Sequence, residues 1–193
     1  MKVLQIARIT LDEARMRKLV WAIVLLGLAF LVVYGVGFHF MYRDVSRFNQ
    51  GLTQVLEPVN FFVLAGLYGA NFIIVLLSLF VSVDTIAGEV ASGTIQTLVT
   101  KPLRRWEVVA GKWLGLGVML TIFTLVLTGG VVTIVSVIAN YRPPNLTSAI
   151  GLMILEALVV LTLSLLGGTR LPALANGVVV FMLYGLAFIA GWI

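Results

Sequence analysis

Five apolar runs, each long enough to cross the roughly 30 Å of a bilayer's hydrocarbon, make up most of this chain. They are Leu19–Phe40, Val59–Val83, Trp113–Ile138, Ser148–Leu166 and Leu171–Ile193. In lipid every backbone N–H and C=O must be satisfied within the protein, so such runs are read as helices. A β-barrel would show alternating segments of about 10 residues, and these runs are longer and uniformly apolar. The fold class that follows is all-α, a polytopic transmembrane helix bundle. Of 193 residues 61% are hydrophobic and 11% charged, so residues 1–193 read as a single transmembrane domain with almost no extramembrane mass.

The polar remainder sets orientation. Lys2, Arg8, Arg15, Arg17 and Lys18 precede the first run, and Lys101, Arg104, Arg105 and Lys112 lie between the second and third. By the positive-inside rule both stretches face the cytoplasm. The Tyr42–Pro58 and Asn140–Thr147 stretches are nearly balanced or weakly charged and fall outside, and Gly167-Gly168-Thr169-Arg170-Leu171-Pro172 suits a sharp cytoplasmic reversal. The net charge of +5 does not imply a nucleic-acid partner, because the cations flank apolar runs instead of forming a soluble patch with interleaved aromatics. There is no cysteine and one histidine, His39, which excludes a disulfide framework, a thiolate metal site and a multi-histidine cage. Asp12 and Glu13 ahead of the first run, with no small-residue cleavage site after it, argue against a removable signal peptide. The last run is still apolar at Ile193, which leads us to expect that the sequence is cut short.

Three segments are candidates for function. In residues 1–18, Leu4, Ala7, Leu11 and Ala14 recur on one side of a helix with Arg8, Asp12, Arg15 and Lys18 beside or opposite them. That pattern fits an interfacial helix, while a plain basic flank that sets topology is the other reading. In the polar segment 84–112, Ile86, Val90, Thr94 and Leu98 line one edge of a short helix, with Glu89, Ser92 and Gln96 elsewhere. Such a helix would lie along the membrane or enter a partner's groove. Pro102 would end it, and Arg104-Arg105-Trp106-Glu107 would start the next, with Trp106 and Trp113 as interfacial anchors and Lys112 snorkelling to water. The alternative is an ordinary cytoplasmic loop. The third candidate is Glu156, mid-way along the fourth run, where a charge costs about 2.5 to 3.5 kcal/mol on insertion scales. It either meets substrate or a proton, or hydrogen-bonds another helix, with Thr121 and Thr124 as candidate partners. Gly66 with Ala70, Gly111 with Gly115, and Gly129-Gly130 are spacings expected where helices approach closely or kink.

The order Glu89, Gly93-Thr94, Pro102, Arg104-Arg105, Gly111-Lys112 resembles the cytoplasmic signature of type-two ATP-binding-cassette (ABC) transporter permeases. The stretch from Ile6 to Arg15 is similar to that family's elbow helix, and the run around Leu174-Ala-Asn-Gly-Val is similar to its fifth span. The resemblance implies that Glu89 through Thr100 form a coupling helix docked on a separate ATPase subunit, with Arg104, Arg105 and Lys112 opening the third span. It also implies a second permease copy, as homodimer or heterodimer, in a bacterial or archaeal cell membrane with the N-terminus cytoplasmic. Two departures stand out: Leu103 occupies a place where the family often has serine, and five spans are visible where the family usually has six.

No Gly-x4-Gly-Lys-Ser/Thr loop is present, since Gly111-Lys112 lacks both the upstream glycine and the following hydroxyl residue. The chain is therefore not expected to be an enzyme by itself. It would bind no cofactor, and ATP and Mg would sit on the partner. The function expected is a permease that couples ATP hydrolysis by that partner to substrate export. The alternatives are an ion-coupled secondary transporter using Glu156 and a non-transporting membrane anchor or assembly subunit. Few polar groups line the spans, which would suit lipids, drugs, peptides or hydrophobic antibiotics as substrates.

Overall fold

A computed structural model describes residues 2–48, 52–91 and 105–191, and these form a helical bundle. Six helices follow in order: α1 Lys2–Met16, α2 Lys18–Phe48, α3 Leu52–Ala91, α4 Arg105–Ala139, α5 Leu146–Gly167 and α6 Ala173–Ala190. Five of them, α2 to α6, are long and apolar enough to cross a bilayer, so the chain is a multi-pass membrane protein.

The helices overrun the apolar runs that announce them. At about 1.5 Å per residue, the 40 residues of α3 span roughly 60 Å, about twice the hydrocarbon thickness. The stretch 42–58 is accordingly not one loop. Helix α2 continues through Arg43, Asp44 and Arg47 to Phe48, and α3 has begun by Leu52 with Pro58 inside it. At the other end of α3, Asp84 to Ala91 prolong the helix, and the rest of the expected coupling helix, from residue 92 to Thr100, lies outside the described residues. The restart before Trp106 is as expected, at Arg105. Polarity marks where the bilayer ends; it does not end the hydrogen-bonded spiral.

Helix α3 is the hub and packs on α2, α4, α5 and α6. Half of its central stretch is buried, against 11% for α6, so α3 is the core of the bundle and α6 its rim. An aromatic ladder on α2, Phe30, Tyr34, Phe38 and Tyr42, stacks at 5.9, 5.9 and 6.4 Å between successive rings. Its rings lie where Gly66 and Gly69 of α3 leave room: a Cβ at Gly66 would collide with Tyr34, and one at Gly69 would come within 2.8 Å of Phe30. The Tyr34 hydroxyl then donates to the Phe62 carbonyl at 3.2 Å.

The connections that link α4, α5 and α6 are tight. Asn140 and Asn145 take left-handed φ values of 48° and 56°, which asparagine tolerates better than most residues, and they bracket the Pro143-Pro144 turn between α4 and α5. At the α5–α6 reversal, Asn176 Nδ2 donates to the Ser164 carbonyl at 2.7 Å. A Cβ at Gly167 would clash with the same amide, so the glycine there makes room for a polar staple across the turn.

Candidate functional site

Two polar constellations interrupt the apolar bundle, one at the end where α1 meets α4 and one within the spans. The first is built on Gly111 and Gly115, which fall on one face of α4 at i, i+4 spacing. A Cβ at Gly111 would meet Ile6 at 2.7 Å and the Val3 carbonyl at 3.0 Å, and one at Gly115 would lie 2.6 Å from the Ala7 carbonyl. The two glycines thus let the backbone of α1 lie directly on α4, its most extensive contact in the bundle.

The buried face of α1 is set by this seam. Ala7, Thr10 and Ala14 are buried, whereas Leu4, expected on the inner side, is exposed. Thr10 tolerates the apolar seam because its hydroxyl donates back to the Ile6 carbonyl at 2.9 Å. Helix α1 then turns into α2 at Arg17, where the Trp21 indole N–H donates to the Arg15 carbonyl at 2.9 Å. Arg17 and Glu13 pair at 2.9 Å near the protein surface.

Beneath this seam Lys112 departs from expectation. It does not snorkel to water: it is 5% exposed, and its Nζ donates to the Thr85 carbonyl of α3 at 3.0 Å. Thr10, Glu13, Ala14 and Arg17 line a small cavity together with Val81, Thr85 and Leu116, so α1 lies beside the stretch of α3 that supplies the acceptor. A buried amine without acceptors would cost several kcal/mol, so the bond to Thr85 makes burial tolerable and ties the start of α4 to the polar extension of α3. Glu89 falls in that extension and Arg105 opens α4. Gly93, Thr94, Pro102 and Arg104 lie outside the described residues. The two helices that carry the polar segment are therefore joined at its base by Lys112 and clamped from the side by α1.

The second constellation centres on Glu156. Its Oε2 accepts a 2.9 Å hydrogen bond from Asn71 Nδ2 of α3. Neither threonine anticipated for it is its partner. Thr121 donates to the Gly117 carbonyl of its own helix, and the Thr124 hydroxyl is buried without a hydrogen bond among the described residues. Tyr184 of α6 stands at the same level, close enough to interact with both Glu156 and Asn71. Glu156 and Tyr184 border an apolar cleft of about 460 Å³ between α5 and α6, walled by residues such as Leu155, Val159, Leu183 and Phe188. The Oδ1 of Asn71 is buried with its acceptor capacity unused. Carboxyl, amide and phenol from three helices can together hold a proton or receive a hydrogen-bonding group entering from the cleft.

Sequence reasoning singled out Glu156 but missed Asn71 and Tyr184. Both sit near the middle of their own apolar runs, and matching intramembrane polar residues by depth pairs them with Glu156. Ser78 was also missed; its hydroxyl donates to the Ala157 carbonyl at 2.9 Å, about two turns along α3 from Asn71. Trp113, expected as an interfacial anchor, donates instead to Thr162 of α5 at 2.9 Å.

Comparison with known proteins adds a family. The profile described as "ABC-2 family transporter protein" matches residues 4–191. A probable ABC transporter permease protein NosY of Stutzerimonas stutzeri is 32% identical over 125 residues, 65% of this chain and 42% of that protein. A probable NosY permease of Pseudomonas aeruginosa is 40% identical over 57 residues, 30% of this chain and 21% of that protein. The chain thus matches less than half the length of either relative.

Proposed function

The chain belongs to the ABC-2 family of transporter proteins, and we propose that it is the permease subunit of an ABC exporter, driven by an ATPase on a separate polypeptide. In this reading two permease copies assemble in a bacterial or archaeal cell membrane with their N-termini in the cytoplasm. The segment between α3 and α4 docks the ATPase, with Glu89, Gly93, Thr94, Pro102, Arg104 and Arg105 setting the register and Lys112 bracing its base. ATP and Mg stay on the partner.

The observation that carries this is the brace. A docked segment can transmit force only if its two ends move as one with the spans. Lys112 Nζ on the Thr85 carbonyl, and α1 seated on Gly111 and Gly115, make α3 and α4 one body where they leave the bilayer. ATP then shifts the bundle between inward-facing and outward-facing states only by the difference in its affinity for the ATPase pair in each. Glu156 lines the path in this reading, because it opens on the α5–α6 cleft and not on a closed core.

The test is co-purification. Glu89→Ala combined with Arg104→Ala weakens recovery of the ATPase while membrane insertion is retained; unchanged recovery contradicts the docking role. Glu156→Gln preserves folding and assembly and reduces ATP-driven flux in liposomes, whereas loss of folded protein assigns the residue to packing alone.

A further inference from the structure

A slot of about 280 Å³ runs between α2 and α4. Its walls are apolar, with Val24, Leu28, Ile122 and Phe123 among them, and its cytoplasmic mouth is formed by Arg15 and Trp21. The inner end is closed: Leu31 packs against Gly130, where a Cβ would come within 2.7 Å of it. At about 1.5 Å per residue, the rise from Val20 to Leu31 is roughly 16 Å, close to half of the roughly 30 Å hydrocarbon core. The slot therefore spans one leaflet and stops, which is the shape of an acyl-chain seat and not of a crossing path.

The mouth supplies the second half of the recognition. Arg15 is the last basic residue of α1, and its carbonyl is pinned by the Trp21 indole, which holds the residue at the head of the slot. Its guanidinium has no hydrogen-bond or ion-pair partner among the described residues; of the two acids of the same helix, Asp12 and Glu13, the latter pairs with Arg17. A planar cation beside an amphipathic ring at headgroup level, above an apolar slot one leaflet deep, is complementary to a phosphodiester carrying an acyl chain.

We propose that this slot is a binding site for one anionic phospholipid of the cytoplasmic leaflet, its phosphate on Arg15 and one acyl chain between α2 and α4. The lipid would fill the wedge between the two helices and fix the angle at which α1 enters the bundle. The proposal is independent of any ATPase partner.

Native mass spectrometry of the full chain released from detergent, with dioleoyl phosphatidylglycerol or dioleoyl phosphatidylcholine added, tests it. The wild type retains one phosphatidylglycerol per chain in preference to phosphatidylcholine. Arg15→Gln lowers that retention about tenfold, the loss expected for one charge-assisted hydrogen bond. Ile122→Trp, which fills the slot from a position already 56% exposed, lowers retention of both lipids. Arg142→Gln, at the opposite end of the bundle, changes neither. Equal retention of the two lipids by the wild type, or unaltered phosphatidylglycerol retention in Arg15→Gln or Ile122→Trp, overturns the assignment.

Discussion

The corner made by α1, α3 and α4 and the flank made by α5 and α6 are built from similar residues to opposite effect. In the corner, glycines bring backbones into contact and a lysine spends its charge inside, on the Thr85 carbonyl. On the flank, Glu156 and Tyr184 border an apolar cleft of about 460 Å³, and α6 keeps Leu174, Met182 and Leu186 exposed. Closed packing suits a part that must transmit movement without deforming. An open cleft with a carboxyl group at its edge suits a part that must let something in. In the proposed reading the mechanical and the chemical work of the molecule fall on different helices.

The sharpest way to break this contrast is Gly115→Leu. Its side chain would enter the Ala7 backbone, which cannot yield unless α1 lifts off α4. The expected loss is about 3 kcal/mol, at the upper end for overpacking, with amide exchange in α1 rising selectively. Unchanged protection of α1 would show that the corner is not closed as described. Lys112→Met comes next. It removes a charge-assisted bond from the corner and should lower stability by about 2 kcal/mol in a detergent unfolding titration, while freeing α3 and α4 to move independently. A neutral effect would mean that the brace contributes nothing.

On the flank the effects should be smaller. A double-mutant cycle between Asn71→Leu and Glu156→Gln should return a coupling of about 0.6 kcal/mol and not above about 1.7, the range for hydrogen bonds between membrane helices. A larger value would move Glu156 from the cleft to the core. Smallest of all is Leu186→Ala, at a position 65% exposed, which should stay within about 0.5 kcal/mol. A clear destabilisation there would show that another surface covers α6 in the membrane.

What the sequence made legible follows the same line. Five spans, the helix at the N-terminus and the restart at Arg105 could all be read from apolar runs and charge, because burial in lipid selects for them along the chain. Helix ends could not. Arg43, Asp44 and Arg47 look like loop residues, yet they continue α2, since a charged residue outside the hydrocarbon is no obstacle to helix. Lys112 was misjudged for a related reason: snorkelling is the rule for a lone span, and only tertiary structure puts the Thr85 carbonyl within its reach. Gly111 and Gly115 carried the signal for that contact, but small-residue spacing names a close approach without naming the partner. Glu156 was visible as a cost, and its partner was not, because Asn71 lies on a helix whose register against α5 no local pattern encodes.

The central claim is that the segment between α3 and α4 is gripped by a nucleotide-hydrolysing partner. A photoreactive side chain at position 97, activated in native membranes, tests it directly. The account predicts one major adduct, to an ATPase subunit, weakened by Glu89→Ala with Arg104→Ala. Adducts to lipid alone, or to proteins that do not bind ATP, would contradict it.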